Sequence, residues 1–280
     1  MSAFRFAVAA TLAPSQLHAA FRAAFADYLI GPFTLDLAQW PVFLGRQGVD
    51  LALSRVALDA RGQPLAFAWV APRTGRWRLA TMGALPEARG SGAAPALLDD
   101  VIARAAAAGA AAVELEVFAQ NERALRLYEG RGFQTLHALH GYLAEAGTLT
   151  AGPAPDGVDA VDADAALDWL ERAEARLAGL PLQVTRASLR HAQGLRALRR
   201  GGAQLAYTLP DAHSVAIASL IAPPGCEADA RALVLALAAD HPQRSLRVPQ
   251  LQRLDLGGQV LRDLGFAPQP LHQLLMQRPL

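Results

Sequence analysis

Residues 82 to 133 constrain this chain more than any other stretch. They open with MGALPEARGSGAAPALL, in which Arg89-Gly90-Ser91-Gly92-Ala93-Ala94 fits R-x-x-G-x-G/A. That pattern sets a glycine-rich turn directly ahead of a helix. The first turn of a helix has backbone N–H groups with no partner inside the helix, and the helix dipole adds positive potential there. Gly90 and Gly92 let the backbone adopt turn conformations closed to other residues and come close to a phosphate. Arg89 adds a charge-assisted donor. Pro86 ends the preceding strand, and Ala94 to Ala108 reads as a helix with Leu97, Leu98, Val101 and Ile102 at helical spacing and Gly109 as its stop. A Rossmann turn fits worse, because G-x-G-x-x-G is absent. A Walker loop is excluded, because the chain contains no lysine at all.

About thirty residues on, LEVFAQNERALRLYEGRGF places Asn121, Ala124, Leu127, Tyr128, Gly132 and Phe133 in N-x-x-A-x-x-L-Y-E-x-x-G-F. Val113 to Phe118 alternates apolar Val113, Leu115 and Val117 with Glu114 and Glu116, which is strand periodicity. Asn121 to Arg131 then reads as a helix closed by Gly132.

In this order and at this distance, the two motifs resemble the acetyl-CoA-binding core of the GNAT family of N-acetyltransferases. The resemblance implies an α/β (α+β) fold: a mixed, mostly antiparallel sheet flanked by helices. It implies acetyl-CoA as co-substrate, held by Arg89, Gly90, Ser91, Gly92, Ala93 and Ala94. The edge of the fourth strand, Met82, Gly83 and Ala84, would pair with the pantetheine amides, with Gly83 placed for the family's strand bulge. Asn121 would contact the cofactor, and Tyr128 would protonate the leaving thiolate. A phenol, with an ordinary pKa of about 10, suits that role because it keeps its proton at neutral pH. Glu116 matches the general base of the GNATs that modify protein N-termini. Its neighbour Glu114 shares a face with it, and the plain alternative is that one or both cap arginines.

Upstream, Phe4 to Leu12 reads as a strand, Pro14 to Leu29 as a helix with Leu17, Phe21 and Phe25 on one face, and Leu35 to Arg46 as a short helix. Three strands follow, Leu51 to Leu58, Leu65 to Ala71 and Trp77 to Met82, joined at Arg61-Gly62-Gln63 and Arg73-Thr74-Gly75. After Leu149, TAGPAPDGVDAVDADA reads as a linker leading to a helix at about Asp164.

Downstream the same rhythm returns. Gly265-Phe266 lies 133 positions beyond Gly132-Phe133 (265 − 132 = 133). The same shift brings Leu246 and Val248 under Val113 and Leu115, Gly225 under Gly92, and Glu227 to Asp240 under the long helix. The copy replaces Arg89-Gly90-Ser91 by Ala222-Pro223-Pro224, Tyr128 by Leu261 and Glu116 by Pro249. The expected organisation is therefore tandem: a catalytic domain over 1–150, a linker over 151–163 and a degenerate, cofactor-free domain over 164–280.

Length and composition agree with a folded protein: 280 residues, 52% hydrophobic and 18% charged, leave room for one large or two ordinary domains. A net charge of +1 speaks against nucleic acid or anionic membrane as partner. A single cysteine, Cys226, no apolar leader in MSAFRFAVAATLAPSQL and no long apolar run fit a cytoplasmic enzyme. Cys226 is expected to be a structural thiol and His137 and His140 ordinary strand histidines, so no metal is expected. Asp50, Ser54 and Arg55 are candidate acceptor contacts. The functional expectation is acetyl transfer to a primary amine of a small molecule or peptide, by direct attack through a tetrahedral intermediate, in a monomer or homodimer. The rival reading is a non-catalytic acetyl-CoA sensor or assembly subunit.

Overall fold

The computed structural model describes residues 4–149 and 156–280. By contacts the chain divides into two compact units. The first takes in the chain up to Leu115, Asn121–Gln134 and Met276–Leu280; the second takes in Glu116–Gln120 and Thr135–Leu275. This division departs from a cut at residue 150. Thr135 to Leu149 belong with the second unit, and the last five residues of the chain belong with the first.

The chain begins with β1 (Arg5–Val8), α1 (Pro14–Ala24), α2 (Trp40–Gln47), β2 (Asp50–Leu58), β3 (Pro64–Arg73), β4 (Arg76–Ala84), α3 (Ala93–Ala107), β5 (Ala112–Phe118) and α4 (Glu122–Glu129). Strands β1 to β4 pair antiparallel in chain order, and β4 pairs parallel with the start of β5. Met276–Leu280 completes this unit. The Leu280 N–H donates to the Ala111 carbonyl at 3.0 Å and Gln277 Nε2 donates to Glu114 at 3.0 Å.

Helix α1 is amphipathic, and its Leu17, Ala20, Phe21 and Ala24 are buried against Phe67 and Trp69 of β3. Phe21 sits among Phe25, Phe33, Trp40, Phe43 and Phe67, with ring centroids 5.0 to 6.2 Å apart. Each such buried ring contributes roughly 1.5–3 kcal/mol relative to an exposed one, so the cluster pins the end of α1 and the segment after it to the sheet. The predicted helix to Leu29 stops five residues early, at Ala24. Tertiary partners account for this: Arg89 donates to the Ala24 carbonyl and captures Asp27, drawing the chain out of helical register.

The chain continues through β6 (Gln134–Ala144), β7 (Asp159–Val161), α5 (Ala163–Glu174), α6 (Arg186–Leu189), β8 (Arg196–Arg200), β9 (Ala203–Thr208), β10 (Ser214–Ile221), α7 (Glu227–Asp240), β11 (Ser245–Arg253), α8 (Gly258–Asp263) and β12 (Ala267–Pro279). In the second unit the strands run β12-β6-β11-β10-β9-β8-β7. Its core gathers Leu205, Val215, Ile217, Leu233, Leu237, Leu246 and Leu261. The segment read as a linker over 151–163 carries β7, an edge strand antiparallel to β8; residues 151–155 of it lie outside the described residues. The offset of 133 carries α3 onto 226–240, where α7 stands, and the start of β5 onto Ser245, where β11 begins. Gly92 and Gly225 share the left-handed conformation, at φ +85° and +89°.

Candidate active site

A cavity of about 460 Å³ lies in the first unit. The sequence places on its wall Met82, Gly83 and Ala84 of β4, Arg89, Gly90, Gly92 and Ala94 of the glycine turn, and Asn121 and Tyr128 of α4. Ser91 and Ala93 do not line it: Ala93 is buried, and its N–H donates to Ser91 Oγ at 3.3 Å.

The opening comes from β4. Its pairing with β5 runs from Arg76–Ala112 to Leu79–Leu115 and ends there, while its pairing with β3 continues to Ala84. A bulge marks the divergence, but not at Gly83. The register shifts between Trp69–Thr81 and Val70–Leu79, so the extra residue is Ala80. Gly83 serves a different need. A Cβ there would lie 3.0 Å from Ala24 Cβ and 3.0 Å from Phe67 Cζ, so glycine lets α1 close down on the strand.

The turn behaves as its sequence requires. Gly90 and Gly92 both have φ near +85°, with open space where a side chain would be, so backbone conformation is what demands glycine. Gly92 is the N-cap of α3, and the first turn of that helix carries no acidic residue. Arg89 lines the cavity with its charge already engaged. Its guanidinium makes a bidentate pair with Asp27 (Nη1–Oδ2 2.5 Å, Nη2–Oδ1 2.6 Å), which holds the Asp27 carboxyl below the usual carboxylate range.

Across the cavity, Asn121 caps α4 by accepting the Ala124 N–H on Oδ1 at 3.2 Å. Its amide is thereby left to donate to the hydroxyl of Tyr28, with which it shares a hydrogen bond. Burial raises the Tyr28 phenol. Burial, and then the neighbouring Tyr28, pushes the Tyr128 phenol far above its ordinary value. Both phenols are therefore protonated throughout the neutral range.

Asp27, Tyr28 and Arg123 also line the cavity, and sequence motifs did not single them out. Asp27 and Tyr28 fall in a helix-to-loop passage with no pattern of its own. Arg123 was in plain view at an x position of N-x-x-A. Glu116 is not on the cavity wall. Its carboxylate accepts the Leu182 N–H at 2.7 Å and Gln183 Nε2 at 3.4 Å. Glu114 is buried and bound by Arg76 at 2.8 Å and by Gln277, as the arginine-capping alternative requires. Asp50, Ser54 and Arg55 are occupied as well. Buried Ser54 donates to the Asp50 carbonyl and accepts the Val70 N–H, filling an irregularity between β2 and β3. Arg55 binds the Ala52 and Ser54 carbonyls. Among the described residues, no three His, Cys, Asp or Glu side chains converge as a metal site would need, and no helix is long and apolar enough to cross a membrane.

The model of the acetyltransferase (GNAT) family matches residues 16–133, the stretch that builds this cavity. Over that stretch the chain is similar to the acetyltransferases of the GNAT family. Its whole length has the family's fold in tandem form. A GCN5-related N-acetyltransferase from Sphaerobacter thermophilus superposes with TM-score 0.65 at 16% identity, over 100% of this chain and 96% of that one. An acetyltransferase from Pyrococcus horikoshii, itself described as putative, gives 0.67 at 12% identity, over 100% and 90%. A tandem GNAT protein from the clavulanic acid biosynthesis pathway gives 0.61 at 14% identity, over 99% and 98%. At these identities the likeness is one of fold. No curated protein matches the sequence.

Proposed function

We propose that this protein is a GNAT-type acyltransferase that transfers the acetyl group of acetyl-CoA to a primary amine of a small molecule or peptide, and that the first unit alone carries the coenzyme site. The observation that carries this reading is the meeting of three features on one cavity: the open β4 edge, the glycine turn ahead of α3, and a buried, protonated Tyr128. The features fit a long, phosphorylated thioester. The left-handed glycines leave room against the turn, the N–H groups of the first turn of α3 suit phosphate oxygens, and strand backbone suits the amides of an extended arm. Amides at the strand edge would also stabilise charge developing on the thioester oxygen. Tyr128 would hold the proton that the departing sulfur needs. To Glu116 we assign the anchoring of the turn at Leu182 and Gln183, since its carboxylate already holds both donors.

Calorimetric titration of the whole protein with acetyl-CoA tests the reading. One site per chain is the expected result. Two sites would overturn the silence of the second unit, and none would overturn the transferase. Thiol release with a panel of amines then separates turnover from a sensor that binds without reacting.

A further inference from the structure

Three residues on the cavity wall carry full charge at neutral pH: Asp27, Arg89 and Arg123. Asp27 and Arg89 cancel each other through their bidentate pair. Arg123 is left, exposed, with no ion pair or hydrogen bond to any described residue. Its own helix does not neutralise it either. Glu122, the acidic residue in the first turn of α4, is taken by Arg126 at 3.2 Å. Among the described residues the cavity therefore faces its ligand with one uncompensated cation, and that cation is not the motif arginine.

Resting on the acyl-CoA reading of the cavity, we propose that Arg123 recognises the 3′-phosphate of the coenzyme, while Arg89 braces the end of α1. Coenzyme A presents two kinds of phosphate. Its diphosphate is a diester whose charge is spread over several oxygens, which suits the N–H groups of a glycine turn and a helix N-terminus. Its 3′-phosphate is a monoester, carrying up to two charges on one group, and calls for a full cation. Arg123 offers a planar donor fork on a long stem, at the second position of α4, where the helix dipole adds to its charge. Asp27 keeps Arg89 from competing for that role.

The test is calorimetric titration of the whole protein with acetyl-CoA and with 3′-dephospho-acetyl-CoA, for the wild type and for Arg123→Gln, Arg126→Gln and Arg89→Gln. The wild type is expected to prefer the phosphorylated form by roughly tenfold or more, the scale of a charge-assisted hydrogen bond. Arg123→Gln should lose most of that preference and Arg126→Gln should keep it, with thermal melting unchanged in both, since neither position is buried. A preference retained in Arg123→Gln overturns the proposal. So does one lost equally in Arg126→Gln, or lost only in Arg89→Gln. Equal binding of both coenzymes by the wild type overturns it while leaving the transferase reading intact. Binding of neither overturns both.

Discussion

The two glycine turns of this molecule, at Gly92 ahead of α3 and Gly225 ahead of α7, have nearly the same backbone and opposite chemistry. Both glycines are left-handed, both have open space where a side chain would stand, and both lead into long helices. The first helix begins without an acidic residue and opens on a cavity of about 460 Å³. The second carries Glu227 and Asp229 in its first turn. Glu227's own backbone N–H and that of Gly225, accepted at 3.1 Å, hold its carboxyl below the usual range. Asp229 accepts the Gly202 N–H at 3.3 Å and lies 3.5 Å from Arg200. The second helix thus supplies its own anions. Its sheet edge is sealed too: Gln252 Nε2 donates to the Leu220 and Leu256 carbonyls, and the cavity beside them holds about 10 Å³, barely room for one water. A phosphate site is therefore not a glycine turn. It is a glycine turn whose donors the rest of the chain leaves unspent.

The largest effect should come from the proton that only the first unit retains. Tyr128→Phe should lower turnover by roughly 10²- to 10⁴-fold, the usual contribution of general acid catalysis, while acetyl-CoA affinity stays within about twofold. The offset of 133 puts Leu261, buried and apolar, at the corresponding place of the second unit, which therefore offers no phenol there. Turnover unchanged in Tyr128→Phe would remove the acid role. Affinity lost together with turnover would make the residue a packing element.

A matched pair of substitutions tests the comparison itself. Gly92→Asp and Gly225→Asp impose the same left-handed strain, about 1–2 kcal/mol, on sites with the same open surroundings. Thermal melting should fall in both, and further in Gly225→Asp, where Glu227 and Asp229 already carry negative charge. Acetyl-CoA affinity should fall at least about a hundredfold in Gly92→Asp, because a carboxylate about 4 Å from a phosphate costs roughly 4 kcal/mol at a surface-like dielectric. In Gly225→Asp it should not change. Equal losses would mean that both turns bind.

Much of this was legible in the sequence because the motif residues act through local backbone. The conformations of Gly90 and Gly92 and the strand around Glu116 follow from neighbours a few residues away. The repeat at offset 133 was legible for the same reason, since its turns and helices repeat element by element. What escaped reading depends on partners far along the chain. The bulge at Ala80 is fixed by register against Trp69 and Val70, and Gly83 is explained only by α1 lying on it. The pairing of Asp27 with Arg89 spans 62 residues and that of Glu116 with Leu182 spans 66, and neither leaves a local pattern. That Met276–Leu280 belong to the first unit and Thr135–Leu149 to the second is likewise a fact of pairing and not of composition.

The smallest effect concerns that long-range pair. Arg89 lowers the Asp27 pKa in the folded protein, chiefly through their hydrogen bonds, so the pair stabilises the fold at pH values above the unfolded carboxylate value of about 3.9. That contribution is lost as pH falls through the lowered folded value. The melting temperature of the wild type should therefore exceed that of Asp27→Asn by a small margin at pH 5 to 7, and the two curves should converge below about pH 4. Added salt should narrow the margin, because the pair is exposed. Coenzyme affinity should move the other way. Releasing Arg89 from its carboxylate adds a second uncompensated cation to the cavity that Arg123 already lines. Asp27→Asn should then bind acetyl-CoA roughly twofold to fivefold more tightly at neutral pH, the range of an exposed ion pair. Weaker binding in Asp27→Asn would show instead that the pair is needed to shape the site, with Arg89 held where the glycine turn requires it. In that event the first unit, like the second, would depend on an internal ion pair beside its turn, and the contrast between them would narrow to the cavity and to Tyr128.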